Sequence, residues 1–209
     1  MALHEIQLTL ANGALEKELQ QIIQLGAERT QTFHDSNRDH PIKGFHSSDF
    51  EEACRWLVSL KSQPEFRESR PTFCEWGSGL GIVSLLAEKT GYQATAIELE
   101  FRLHQEAIRI HEKFDSHCQC IHGSFIPDKI SATARLCLPE SSESMWLGLD
   151  GPAAYSRIDS SVDSFDVIYA YPWPGESDFV MELFDVAAKR EAFLLTFHGA
   201  ADFRLHQKR

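Results

Sequence analysis

The chain is short of positive charge, has no long apolar run and carries an odd number of cysteines. Its 209 residues hold 20 Lys and Arg against 31 Asp and Glu, a formal net charge of −11 with histidine neutral. Most of such a surface repels a phosphate backbone, so wholesale binding to nucleic acid or to an anionic membrane is disfavoured, local basic patches apart. No apolar stretch approaches the ~18 residues that a bilayer span requires. The opening Met1-Ala-Leu-His-Glu lacks the basic and then apolar pattern of a secretory leader. The cysteines are Cys54, Cys74, Cys118, Cys120 and Cys137, and a chain of this size needs no disulfide staples. The expectation is a reduced, cytoplasmic protein with no membrane partner. No internal repeat is visible. What remains is 43% hydrophobic and 24% charged residues, enough to build a core and too apolar for general disorder.

Hydrophobic periodicity divides the chain in two. Residues 1–70 read as a helical N-terminal extension or cap, and residues 71–209 as the main layered region, the whole making one structural unit. In the first part Leu15, Leu19, Ile22 and Ile23 fall on one helical stripe. Ser48 followed by Glu51 fits a capping box ahead of a second helix. From Pro71 the pattern alternates. Strands are expected at residues 72–76, 92–99, 118–126, 166–171 and 192–197, with helices after Gly81 and at residues 101–114 and 179–189. Strands separated by such helices point to right-handed crossovers and a largely parallel sheet. The serine-rich stretch 127–164 reads as either an insertion or a substrate-covering lid.

The informative stretch is Glu75-Trp76-Gly77-Ser78-Gly79-Leu80-Gly81, at a strand-to-helix junction. There the helix N-terminus offers free N–H groups, and glycines let a ligand approach the backbone. A dinucleotide fold requires G-x-G-x-x-G. The third small position counted from Gly77 is occupied by Ile82, which disfavours a nicotinamide oxidoreductase. An acid is expected at the tip of the next strand to accept from ribose hydroxyls, and Glu98 stands 21 positions after Gly77, matching the ~20-residue offset of such folds.

The run Phe73-Cys74-Glu75-Trp76-Gly77-Ser78-Gly79-Leu80-Gly81 resembles the first motif of class I S-adenosylmethionine (SAM)-dependent methyltransferases, and Ala96-Ile97-Glu98-Leu99-Glu100 resembles the second. The resemblance spans residues 72–197. It implies S-adenosyl-L-methionine as cofactor and methyl transfer as activity. It also implies that Glu75 lies near the methionine ammonium, that Gly77, Ser78 and Gly79 pass under the methionine and ribose, and that Glu98 holds the ribose hydroxyls. Ser124 and Phe125 are implied to flank the adenine. The expected fold is α/β, Rossmann-like and doubly wound, with a mainly parallel sheet, helices on both faces and N-terminal helices. Members commonly continue past the fifth strand with a helix and a terminal hairpin. Too few residues follow Phe197 for that, so the sheet is expected to be shortened after the fifth strand unless residues 6–10 supply a strand.

Ligands in open parallel sheets bind beyond the carboxyl ends of the strands, which draws attention to Tyr171-Pro172-Trp173-Pro174-Gly175-Glu176. Pro172-Trp173 resembles the end of the Asn/Asp-Pro-Pro-aromatic motif of amino-methylating members, with Ala170 and Tyr171 in place of its polar residue and first proline. Tyr171, Trp173 and Glu176 are the candidate catalytic residues. The aromatics would stabilise positive charge by ~0.5–2 kcal/mol, and Glu176 would accept a proton. The acceptor is read as a small molecule or a protein side chain, nucleic acid being disfavoured by charge. The other reading is a non-catalytic SAM-binding or scaffold protein. No metal is expected. Cys118-x-Cys120 lacks structural-zinc spacing, strand alternation is expected to keep the two thiols apart, and both are read as core packing. His46 reads as an ordinary exposed loop histidine in preference to a cofactor or substrate contact, which the resemblance also implies because N-terminal helices of that superfamily frequently close over the cofactor.

Overall fold

The structure is a computed structural model that describes residues 3–39, 42, 44–66, 69–127, 151, 154–158 and 160–209. Seven strands run through these residues: β1 (Leu3–Glu5), β2 (Thr72–Trp76), β3 (Gln93–Glu98), β4 (Gln119–His122), β5 (Val167–Ala170), β6 (Phe193–Phe197) and β7 (Phe203–Lys208). The helices are α1 (Lys17–Ser36), α2 (Phe50–Lys61), α3 (Ile82–Lys89), α4 (Phe101–Lys113) and α5 (Ser177–Ala187). The strands form one sheet in the order β1-β7-β6-β5-β2-β3-β4. Strands β2 to β6 pair with one another in parallel, whereas β7 is antiparallel to both β6 and β1.

Strand alternation sorts side chains to two faces. Phe73, Tyr169 and Leu195 join Ile22 of α1, Leu57 of α2, Leu85 of α3 and Ile110 of α4 in one core. Cys74, Ile168 and Leu194 point the other way, to Leu183 and Phe184 of α5 and to Tyr155 and Val162 of two short 3₁₀ turns. Helices therefore cover both faces, as expected of a doubly wound sheet. The chain runs outward from β2 through β3 to β4, then crosses back to β5 on the other side of β2. That reversal opens a crevice beyond the ends of β2 and β5, where Trp76 pairs with Ala170.

The start of that pair is fixed by Asp166. Its carboxylate accepts the Thr72 N–H (2.7 Å) and hydroxyl (2.9 Å), and pairs with Lys189 at 2.7 Å. Burial alone raises its pKa, but Lys189 and Thr72 outweigh it and hold the group below the usual carboxylate range. A depressed folded-state pKa means that this stabilisation is complete above the unfolded pKa and lost as pH falls through the folded one. Asp166→Ala is expected to cost about 1–3 kcal/mol, the loss of a charged partner to half-buried donors. The expected fall in Tm in a neutral-pH melt is roughly 3–10 °C, and the deficit shrinks in acid.

Three expectations are corrected. The sheet is not shortened after the fifth parallel strand: β7 pairs along the whole of β6, from Phe193–Gln207 to Phe197–Phe203. An antiparallel neighbour needs only a tight connection rather than a helix, and residues 198–202 suffice. The N-terminal strand exists, but as Leu3–Glu5 against β7, not at residues 6–10. At α2 the capping residue is Asp49, whose carboxylate accepts the Glu52 N–H at 3.0 Å, rather than Ser48. Residues 128–150 of the serine-rich stretch, with Cys137, lie outside the described residues. Among the described residues no helix is long and apolar enough to cross a membrane.

Candidate functional site

The crevice is built around the turn between β2 and α3. Gly77, Gly79 and Gly81 have φ of +69°, +55° and +70°, in the left-handed region that L side chains adopt at a cost. Ser78 N–H donates to Ile97 O (2.9 Å) and Gly81 N–H to Ser78 O (2.8 Å), so the turn is pinned to β3 and closed on itself. A Cβ at Gly77 would meet nothing within 4 Å, whereas one at Gly81 would lie 2.7 Å from His111 Nε2. The turn is thus packed hard at Gly81, covered by the Phe45 ring at Gly79, where a Cβ would lie 3.0 Å from it, and bare at Gly77.

Two buried carboxylates flank it. Glu75 is 4% exposed, and its Oε2 accepts the Ser84 N–H in the first turn of α3 at 2.8 Å. Burial lifts its pKa to about 8, against the hydrogen bonds from Ser84. Glu98 Oε2 accepts the Gly79 N–H (2.6 Å) and Oε1 the Glu100 N–H (2.7 Å). Its pKa is also raised, mainly by burial. Each carboxylate oxygen retains a lone pair beyond these bonds.

The cleft encloses about 670 Å³, and all ten residues singled out in the sequence line it. Glu75, Gly77, Ser78, Gly79 and Glu98 form its floor. Ser124 and Phe125 follow β4, with the Phe125 ring stacked on Trp76 at 5.1 Å between centroids. Tyr171, Trp173 and Glu176 line the cleft beyond β5. The Tyr171 ring lies against Phe197 at 4.7 Å. Glu176 Oε2 accepts the Trp173 N–H at 3.1 Å, and burial raises its pKa. An adenosyl ligand fits this set of groups. Ser78 Oγ is buried without a hydrogen-bond partner, and the bare Gly77 backbone and the spare carboxylate lone pairs face the same space.

Of the N-terminal segment, sequence reasoning offered His46 only as the second of its two readings and did not place Gly44 or Ser48 at the cleft. His46 is exposed, but it lines the cleft and lies 4.8 Å from the Trp173 ring. Trp173 Nε1–H donates to Gly44 O at 3.0 Å. Ser48 Oγ and Tyr169 Oη share a 2.6 Å hydrogen bond on the cleft wall. The available signal was the glycine-aromatic-histidine run at Gly44-Phe45-His46 just ahead of the α2 cap.

The cysteine pair is also corrected. Cys118 and Cys120 are two positions apart, so alternation returns them to one face instead of separating them. Both are half-buried, and their sulfurs lie within 4.8 Å of each other and of a His111 ring nitrogen. Cys118 holds a proton toward Cys120, which raises the first thiol and lowers the second, with His111 favouring the Cys120 thiolate further.

The same architecture occurs in solved proteins. A methyltransferase from Geobacter sulfurreducens superposes with a TM-score of 0.51 over 95% of this chain and 93% of its own, at 10% identity. An S-adenosylhomocysteine (SAH)-bound methyltransferase from Podospora anserina gives 0.51 at 13% identity, over 88% of this chain and 64% of that one. An RNA methyltransferase from Salinibacter ruber, in complex with S-adenosyl-L-homocysteine, gives 0.50 at 9% identity, over 78% and 92%. No protein-family model and no curated protein matches the sequence. At such identities the likeness is one of fold alone: a Rossmann-like α/β sheet shared with these methyltransferases.

Proposed function

We propose that the chain is a SAM-dependent methyltransferase whose acceptor is a small molecule or a protein side chain. The supporting observation is the cleft floor, where the bare Gly77 backbone, the unpartnered Ser78 hydroxyl and two buried carboxylates converge. When bound, SAM supplies an electrophilic methyl on a sulfonium, and transfer is an in-line displacement governed mainly by alignment. In this reading Glu98 accepts from the two ribose hydroxyls with its spare lone pairs. Glu75 faces the methionine ammonium, and Ser124 and Phe125 border the adenine. Tyr171 and Trp173 would supply the aromatic rings that favour the positive methyl–sulfur region. Glu176 keeps one carboxylate oxygen on the Trp173 N–H and offers the other to a proton leaving the acceptor. The net charge of −11 favours a neutral or cationic acceptor.

Glu75 makes the cofactor step dependent on pH. With its pKa lifted to about 8 by burial, the free chain holds the carboxyl neutral at pH 7, and an ammonium beside it favours the ionised form. Binding of SAH then expels a proton. Affinity is expected to rise by up to about tenfold per pH unit toward pH 8 and to level off above it. Calorimetry in buffers of different ionisation heat reads the released proton, and Glu75→Gln removes the dependence. Stability of the free chain runs the opposite way. A raised folded-state pKa contributes stability that is complete below the unfolded value and lost as pH rises through about 8.

The activity is tested by incubating the protein with SAM carrying a labelled methyl group and with separate pools of small metabolites, proteins and RNA. The expected result is label transfer, with SAH released, in the metabolite or protein pool. Transfer to RNA alone overturns the proposed acceptor class. SAH binding without transfer to any pool favours the non-catalytic reading, which the absence of a polar residue at Ala170 supports.

A further inference from the structure

Behind the glycine turn, the facing surfaces of α4 and β4 collect soft donor groups that the cofactor site does not use. His111 comes from the last turn of α4, Cys120 from β4, and Cys118 from the approach to that strand. One ligand atom of each lies within 4.8 Å of the other two. The same two surfaces also bring His104 and His122 together, their rings 5.5 Å apart.

We propose that His111, Cys118 and Cys120 form a binding site for a zinc-class divalent cation, with two sulfurs and one imidazole as ligands and a water in the fourth position. Two thiolates and an imidazole suit a borderline-soft d¹⁰ ion, and a tetrahedral set of three protein ligands and a water is a normal arrangement for it. The C-x-C spacing is not that of a zinc ribbon, but on a strand it places both sulfurs side by side on one face, and the helix supplies the third ligand from across.

The imidazole is already oriented. Its Nε2–H donates to Gly81 O at 2.8 Å, the kind of outer hydrogen bond that fixes the tautomer of a ligating histidine. Nδ1 is therefore the nitrogen a cation takes without costing the turn this bond. Nδ1 now lies 2.9 Å from Ser116 Oγ, whose own hydroxyl proton goes to Glu88, so Nδ1 is the donor of that contact and an incoming cation takes the place of the Nδ1 proton, which is released. Both cysteines are half-buried residues. An ion here would tie α4 and β4 together directly beneath Gly81, at the point where the cofactor turn has no room for a Cβ.

The test is titration of the reduced, metal-free full chain with Co²⁺ under anaerobic conditions. The expected result is a thiolate-to-cobalt charge-transfer band that saturates at one equivalent per chain and is bleached by Zn²⁺. Cys118→Ser and Cys120→Ser each lose the band, while Cys54→Ala keeps it. No band in the wild type, or a band that survives the double Cys118→Ser, Cys120→Ser change, overturns the site. Should the variants fail to fold, alkylation of the wild type followed by mass spectrometry gives an independent reading. Zn²⁺ is expected to slow modification of Cys118 and Cys120 by more than tenfold, and unchanged rates overturn the proposal. Neither measurement involves SAM or SAH, so failure here leaves the cofactor reading intact.

Discussion

Glu98→Ala is expected to weaken SAH binding by more than a hundredfold. The carboxylate holds the Gly79 and Glu100 N–H groups at 2.6 and 2.7 Å, so it shapes the turn as well as facing the proposed ribose position. Charge-assisted hydrogen bonds of this kind are worth about 1.5–3 kcal/mol each. Loss of the two such bonds that the proposed reading gives to the ribose hydroxyls already reaches the ~2.8 kcal/mol that a hundredfold requires, whereas the bonds to Gly79 and Glu100 exist without ligand and their loss falls on stability. Glu98→Gln keeps one acceptor oxygen and is expected to fall between the two. Calorimetry with SAH measures both. Affinity unchanged in Glu98→Ala contradicts the assigned role, and the fold-level likeness would then stand without the cofactor reading.

The second large effect is on stability. Gly81→Ala forces a Cβ to 2.7 Å from His111 Nε2 and 3.2 Å from Ala107 Cβ, at a φ of +70°. The left-handed backbone costs a side chain about 1–2 kcal/mol, and overpacking adds about 1–3 kcal/mol. Tm is expected to fall by roughly 5–15 °C. Gly77→Ala makes a useful contrast, because its φ is similar but its Cβ meets nothing within 4 Å. It carries the backbone cost alone and loses SAH affinity by intruding on the cleft. Equal Tm losses in the two variants would contradict the packing argument for Gly81.

The core of the sheet was readable because local and long-range signals agree there. The first parallel strand is Thr72–Trp76, as the pattern predicts, and the glycine turn follows it directly. The carboxylate expected on the next strand, Glu98, ends β3 and reaches back to Gly79. Where reading failed, the cause was long-range. Strand β7 carries Arg204, His206 and Lys208 in alternation with Phe203 and Leu205, a polar strand whose identity depends on β6 and β1 on either side of it. Ser48 lost the helix cap to its neighbour Asp49 because Tyr169, 121 positions away, takes the Ser48 hydroxyl. His46 became part of the cleft only because Trp173 folds back over Gly44. The thiols were misjudged for a local reason, a miscounted strand period.

The central claim is that the cleft beyond β2 and β3 receives an adenosyl cofactor, and a crystal structure of the chain soaked with SAH tests it most directly. The account predicts one SAH per chain, its ribose hydroxyls on the Glu98 carboxylate, its ammonium beside Glu75 and its sulfur open toward Trp173. A chain that takes up no SAH at saturating concentration, or that holds it away from Gly77 and Glu98, contradicts the account.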